Sequence, residues 1–237
     1  MQYWGITDRG GVRAQNQDSF TTRTLPDGHV LAVVCDGMGG ARAGNVASSM
    51  TVELFAQKVE HLSGDASHRM GQAAIETNDE VFKRAITDDD CAGMGTTLVA
   101  VMADDHEATL LNVGDSRAYH INESGIMQIT RDHSVVEDLV TSGQLTREEA
   151  RNHPRKNLIT RALGCEPQLR ADLFHVALND GDRLLLCSDG LSNLVTEQEI
   201  LYEVIHGGQD ETCCQRLLEI ALHRGAPDNV TVVLIRC

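Results

Sequence analysis

In VLAVVCDGMGG an apolar run, Val30 to Val34, leads into Asp36 and Gly37. DRLLLCSDGLSNLV repeats that arrangement with Asp189 and Gly190, while APDNVTVVLI reverses it by placing Asp228 and Asn229 just before an apolar run. RAQNQDSF sets Asp18 at the start of another. One such Asp is an ordinary turn or cap residue. Four of them at strand ends can meet on one rim of a sandwich, where their repulsion persists only if a cation neutralises it or some of the groups hold protons. Oxygen donors with no His pair or Cys cluster beside them suit Mg²⁺ or Mn²⁺ better than zinc or copper. The missing side chain at Gly37 lets a backbone carbonyl approach such an ion.

The surrounding elements read as α+β. Tyr3 to Thr7, Ser19 to Thr24 and Val30 to Val34 pattern as strands, the last two joined by the turn Leu25-Pro26-Asp27-Gly28. Helical spacing follows through Ala47, Met50, Leu54, Val59 and Leu62, and again from Ala73 to Ile86. Strands return at Thr96 to Ala103, Glu107 to Val113, Arg117 to Ile121 and Ile126 to Ile129. Beyond a charged, helical insertion from Thr130 to Leu158, the pattern gives strands at Leu169 to Val176, Asp182 to Cys187 and Val230 to Arg236. Two helices precede the last strand, one opened by the capping box Thr196-x-x-Glu199 and one running from Glu211 to Arg224. Strands in runs and helices in runs predict antiparallel sheets packed together with helices outside, rather than β-α-β alternation.

Composition narrows the function classes. A formal charge of −15 disfavours DNA, RNA and anionic lipid, which need a basic face. The amino terminus lacks a signal-peptide pattern and no apolar run is long enough to span a bilayer, so the expectation is a soluble, cytoplasmic protein without membrane partners. Seven cysteines without a C-x-x-C pair suggest neither a disulfide framework nor a zinc cluster, and Cys35 and Cys187 read as small core residues. With no linker or repeat, residues 1–237 read as one domain.

The segments RAQNQD, VCDGMGG, GTTLVAVMA, NVGDSRAY, TRDHS, NLITRALG, CSDGLSNLV and PDNVTVVL occur in this order. In that order they resemble the metal-dependent protein phosphatase 2C family, and its bacterial serine/threonine phosphatases in particular, over essentially the whole chain. The resemblance implies a four-layer α-β-β-α sandwich with two metal ions at one end. It implies that Asp36 bridges both ions, that Gly37 lends its carbonyl, and that Asp189 and Asp228 are direct ligands. Asp115 matches a position that, with Asp189, helps hold a third, weaker ion, and Arg13 matches the arginine that grips the substrate phosphate. Gln17, Asp18 and Asn229 fall in the shell behind the ligands. Residues 130–158 resemble the family's mobile flap; the capping box Thr146-x-x-Glu149 with Arg151, Arg155 and Lys156 equally suits a solvated helix and loop, and His133 and His153, both in the insertion, are the histidines that could approach the site.

Two positions depart from the wider family. Gln17 stands where the pattern often has Glu, which makes the site one negative charge poorer. Met38 stands where many eukaryotic members carry a His proposed as general acid, and a thioether cannot donate a proton. The chemistry nevertheless fits: two divalent ions about 3.5–4 Å apart acidify a shared water for in-line attack on phosphorus, and a guanidinium fork matches phosphate oxygens. The expectation is therefore a Mn²⁺- or Mg²⁺-dependent, monomeric phosphatase. Its substrates would be phosphoserine and phosphothreonine proteins, a cognate serine/threonine kinase among them. The competing classes are a silent phosphoprotein-binding relative, disfavoured by the intact ligand set, and a two-metal nuclease, disfavoured by charge.

Overall fold

The computed structural model describes residues 1–237, apart from the side chains of residues 40–42. Two antiparallel sheets lie face to face. One orders β1 (Gln2–Asp8), β11 (Val230–Arg236), β10 (Arg183–Cys187), β7 (Arg117–Asn122) and β8 (Gly125–Gln128). The other orders β2 (Asp18–Thr24), β3 (Val30–Met38), β5 (Leu98–Ala103), β6 (Glu107–Val113) and β9 (Asp172–Ala177), with β4 (Gly95–Thr96) paired to the end of β3. Helices α1 (Gly40–His61) and α2 (Ala66–Thr87) cover the second sheet, and α6 (Glu197–Ile205) and α7 (Asp210–His223) cover the first. The architecture is the α-β-β-α sandwich.

Strand alternation builds all three cores. Along β3, Val30, Ala32 and Val34 face the other sheet, whereas Leu31, Val33 and Cys35 face α1 and α2 with Phe55, Val59 and Ala73. Along β11, Val233 and Ile235 meet the inter-sheet core while Val230, Val232 and Leu234 pack under α7 against Leu217 and Leu218. A side-chain period of two carries this forward: Asp36 continues the Val30–Ala32–Val34 face, so the apolar space between the sheets ends in an acid.

Several elements differ from their sequence-based bounds. The β3 strand runs on past Val34 through Asp36 and Gly37 to Met38, because Gly37 pairs with Thr96 and Met38 with Gly95 of β4. That same pairing detaches Gly95–Thr96 from β5, so Thr96 to Ala103 is two strands. The predicted strand from Leu169 begins only at Asp172, where pairing with Asn112 starts. In the 130–158 insertion, helicity is confined to α3 (Val135–Thr141) and α4 (Arg147–Arg151), the latter opened by the expected Thr146–Glu149 capping box. Among the described residues no helix is long and apolar enough to cross a membrane.

Candidate metal centre

The β2–β3 hairpin sets the first contact of the site. Its turn is closed by Leu25 N–H donating to His29 O at 2.7 Å and Gly28 N–H to Leu25 O at 2.9 Å, and pairing of Thr24 with Val30 fixes every later pair. Counting outward places Asp18 directly opposite Asp36. Residues opposed in this way project from the same face with Cβ atoms about 4.5–5.5 Å apart, and like charges there are destabilising.

Asp18 is 5% exposed and belongs to a strut between the sheets. Its Oδ2 accepts from Ser188 Oγ and Thr231 Oγ1, both at 2.7 Å, whereas its buried Oδ1 has no partner. Burial, then Asp189 and Asp228, push the Asp18 carboxyl up to about 7 against the pull of the two hydroxyls. For Asp36 the backbone is pinned on both sides: its N–H donates to Thr97 Oγ1 at 2.9 Å, and its carbonyl accepts from Thr97 N–H and Thr96 Oγ1, each at 2.9 Å. Burial together with Asp18, Asp189, Asp115 and Asp228 raises the Asp36 carboxyl well above the usual carboxylate range.

Asp189 opens the short helix α5 (Asp189–Ser192), directly after β10. Its Oδ2 accepts from Asn193 Nδ2 at 3.0 Å, and its Oδ1 is buried without a partner while both it and Asp36 are ionised. Burial and then Asp228 push Asp189 up to about 6, with a bond from the acid form of Asp36, Arg117 and Arg13 pulling back. Asp115, in the turn after β6, is pushed up to about 8 by burial, Asp189 and Asp132.

Asp228 is held differently. Its Oδ2 accepts from Arg13 Nη2 at 2.7 Å and its Oδ1 from the Asn229 N–H at 2.9 Å. Both oxygens are thus occupied by protein donors. Among the described residues no three Asp, Glu, His or Cys side chains are grouped as a ready-made metal cage. The donor chemistry still fits a divalent cation: hard carboxylate oxygens, two of them buried and unpartnered, with Asp189 and Asp228 raising the proton affinity of both Asp18 and Asp36.

The shell behind these acids is tightly tied. Asn229 is buried, accepts from Gln17 N–H at 2.8 Å, and donates to the carbonyls of Arg9 at 2.8 Å and Gln15 at 3.0 Å, so one amide fastens the Arg13 loop to β11. Gln17 accepts at its carbonyl from Gly37 N–H at 3.1 Å, and its side chain lies against Gly44 of α1. Gly37 has a steric reason for being glycine that differs from the expected one: a Cβ there would collide with the Gly44 carbonyl, so the bare backbone lets α1 approach β3. Likewise a Cβ on Gly190 would strike the Asn229 carbonyl, so α5 can close on the start of β11 only at glycine.

The structure therefore brings Asp18, Asp36, Asp115, Asp189 and Asp228 into electrostatic contact, with Arg13 alongside. His153 does not take part; its Nδ1 accepts from Arg155 N–H at 3.1 Å in a local turn. Ser188, Thr231 and Thr97 were missed by the sequence reading, since a hydroxyl in a strand or at its end carries no signal until its neighbour in space is known. His133 was placed near the site without a role, and its contacts prove specific.

Comparison with known proteins gives the family and the fold. The model of the family described as protein phosphatase 2C matches residues 11–219. The serine/threonine phosphatase Stp of Listeria monocytogenes is 38% identical over 237 residues, covering 97% of this chain and 93% of that protein. Among solved structures, the serine/threonine phosphatase Stp1 from Staphylococcus aureus superposes with a TM-score of 0.93 at 36% identity, over 100% of this chain and 94% of that one. The catalytic domain of the serine/threonine phosphatase PstP, solved in complex with two manganese ions, superposes with a TM-score of 0.87 at 36% identity, over 98% and 96%. With its opposed acids at the mouth of the same sandwich, the chain belongs to the protein phosphatase 2C family.

Proposed function

We propose that this chain is a serine/threonine phosphoprotein phosphatase whose water nucleophile is supplied by two Mn²⁺ or Mg²⁺ ions at the carboxylate rim. The observation that carries the reading is the opposition of Asp18 and Asp36 at the end of the inter-sheet core, with no basic side chain between them among the described residues. Asp36, the Gly37 carbonyl, Asp189 and Asp228 would hold the pair, and Asp115 with Asp189 a weaker third ion. The ions, when bound, acidify a water for attack in line with the leaving serine or threonine oxygen.

The chain's own groups do the rest. The Thr96 and Thr97 bonds fix the direction of Asp36, and Asn229 fixes the loop that presents Arg13. Arg13, half-exposed, turns its guanidinium to the phosphate, for which it has the matching fork. Neither Cys35 nor Cys187, the cysteines beside the acids, serves as nucleophile: burial pushes the Cys187 thiol up to about 12 and Cys35 well above its ordinary value. The domain comprises residues 1–237 with the 130–158 flap, acting in the cytoplasm as a monomer on phosphorylated proteins, a serine/threonine kinase included.

Phosphate release from a phosphothreonine peptide, measured with Mn²⁺ and with a chelator, tests this directly. Turnover is expected only with metal, and Arg13→Ala is expected to lower kcat/KM by roughly tenfold with a raised KM. Metal binding without any turnover would favour a silent phosphoprotein-binding module, and cleavage of diesters in preference to monoesters would favour a nuclease.

A further inference from the structure

His133 sits 5% exposed at the start of the insertion, 19 residues along the chain from Gly114. It nevertheless grips both peptide groups of that glycine. Its own N–H donates to the Gly114 carbonyl at 2.9 Å, and its ring Nδ1 accepts from the Gly114 N–H at 3.0 Å. Gly114 has φ of 108°, a conformation that glycine alone adopts without strain, and the next residue is Asp115. Among the described residues the Asp115 carboxyl is steadied by its own backbone N–H and by the charge of Arg117, so the turn that carries it sets its direction.

The other side of the ring points the opposite way. Because Nδ1 accepts, the neutral ring carries its proton on Nε2, which donates to Asp172 Oδ2 at 3.0 Å. Arg161 Nη1 lies 3.1 Å from the same nitrogen, but two donors cannot bond, and its hydrogen goes to Asp172 Oδ1 at 2.8 Å. The His133 carbonyl accepts from Thr160 N–H at 2.8 Å, and Ser134 bridges to Ile159. One residue therefore joins the Asp115 turn to the place where the 130–158 insertion rejoins the body.

We propose that His133 is a positioning residue for the reaction, its Nδ1 setting the Asp115 carboxyl and its Nε2 anchoring the root of the flap. The proposal rests on the assignment of Asp115 to the weak third ion. The two halves separate by substitution. In His133→Asn the amide oxygen takes the place of Nδ1 and the reach to Asp172 is lost; in His133→Gln the amide nitrogen takes the place of Nε2 and Gly114 loses its acceptor.

Three measurements are made on the full chain: Mn²⁺ calorimetry, steady-state rates on a phosphothreonine peptide, and hydrogen exchange at the Gly114 amide in chelator. His133→Gln is expected to weaken the weakest Mn²⁺ site and lower kcat by roughly tenfold, to keep the two tighter ions and KM, and to speed Gly114 exchange. His133→Asn is expected to keep the weak ion and Gly114 protection while raising KM, and Asp172→Ala, at the partly exposed end of the bracket, to do the same. Unchanged Gly114 exchange and weak-site affinity in His133→Gln would overturn the proposal, as would failure of both His133 variants to fold while Asp172→Ala behaves as wild type. Asp115→Asn run alongside separates the two readings. If it alone loses the weak ion, only the role of His133 fails; if it loses nothing, the assignment of Asp115 fails and the role of His133 with it.

Discussion

The two ends of the sandwich each set like charges face to face, and they resolve the conflict in opposite ways. At one end Arg183 of β10 is paired directly with Arg236 of β11, and the buried Asp210 at the start of α7 lies between them. It takes Arg183 Nε at 3.1 Å on Oδ1 and Arg236 Nη1 at 3.3 Å on Oδ2. At the other end Asp18 is paired with Asp36, and among the described residues no arginine or lysine answers them; Arg13 goes to Asp228 instead. The first end carries its own counter-charge and is finished as folded. The second is left short of positive charge, which is what a site for exchangeable cations requires.

The sharpest way to break this contrast is to neutralise the acidic pair. Asp36→Asn should lower kcat by roughly 10²-fold or more while raising the melting temperature of the chelator-treated protein, since repulsion at the rim is relieved. A fall in both would mean that Asp36 is a structural acid like Asp210.

A smaller effect follows from titration. Asp18, Asp115 and Asp189, raised by burial and by neighbouring carboxylates to about 7, 8 and 6, keep protons when folded that unfolded aspartates give up above about pH 4. The metal-free folded state thus binds more protons than the unfolded one, and its stability must fall as pH rises from about 4 to about 8. Thermal melts in chelator should drop by roughly 5 °C between pH 6 and pH 8, and saturating Mn²⁺ should remove or reverse the drop. A flat metal-free profile would show that the rim is compensated after all.

The smallest effect belongs to the other end. Arg183→Ala leaves Asp210 with Arg236 and should cost about 1 kcal/mol of stability, with Mn²⁺ binding and turnover unchanged. A change in turnover would show that the two ends are coupled through β10.

Much of this was legible in the chain. Glu107–Val113 and Val230–Arg236 have the bounds that alternation gave them, and the Thr196–Glu199 box opens α6 as expected. The acids announced themselves because each sits where an apolar run meets a polar residue. What stayed hidden depends on partners far away in sequence. Nothing local to Asp36-Gly37-Met38 says that β4 will extend the strand, and nothing in GTTLVAVMA says that Thr97 will hold the Asp36 amide. The bracket at His133 needed the turn at Gly114 and the strand at Asp172 to be placed before either nitrogen had a meaning.

The register of β1 on β11 has a practical corollary. Gln2 lies opposite Arg236 and Asp8 opposite Val230, so both strands place their outer ends away from Asp228. The seven residues of β11 separate those ends from the rim by roughly 20 Å at about 3.3 Å per residue. A reporter or a substrate peptide joined after Cys237 would therefore start on the side remote from Asp228. To swing back to Arg13 it would need a flexible Gly/Ser tether of about 15 residues, whose mean span is roughly 20 Å. Tether length thus becomes a dial between free and self-presented substrate.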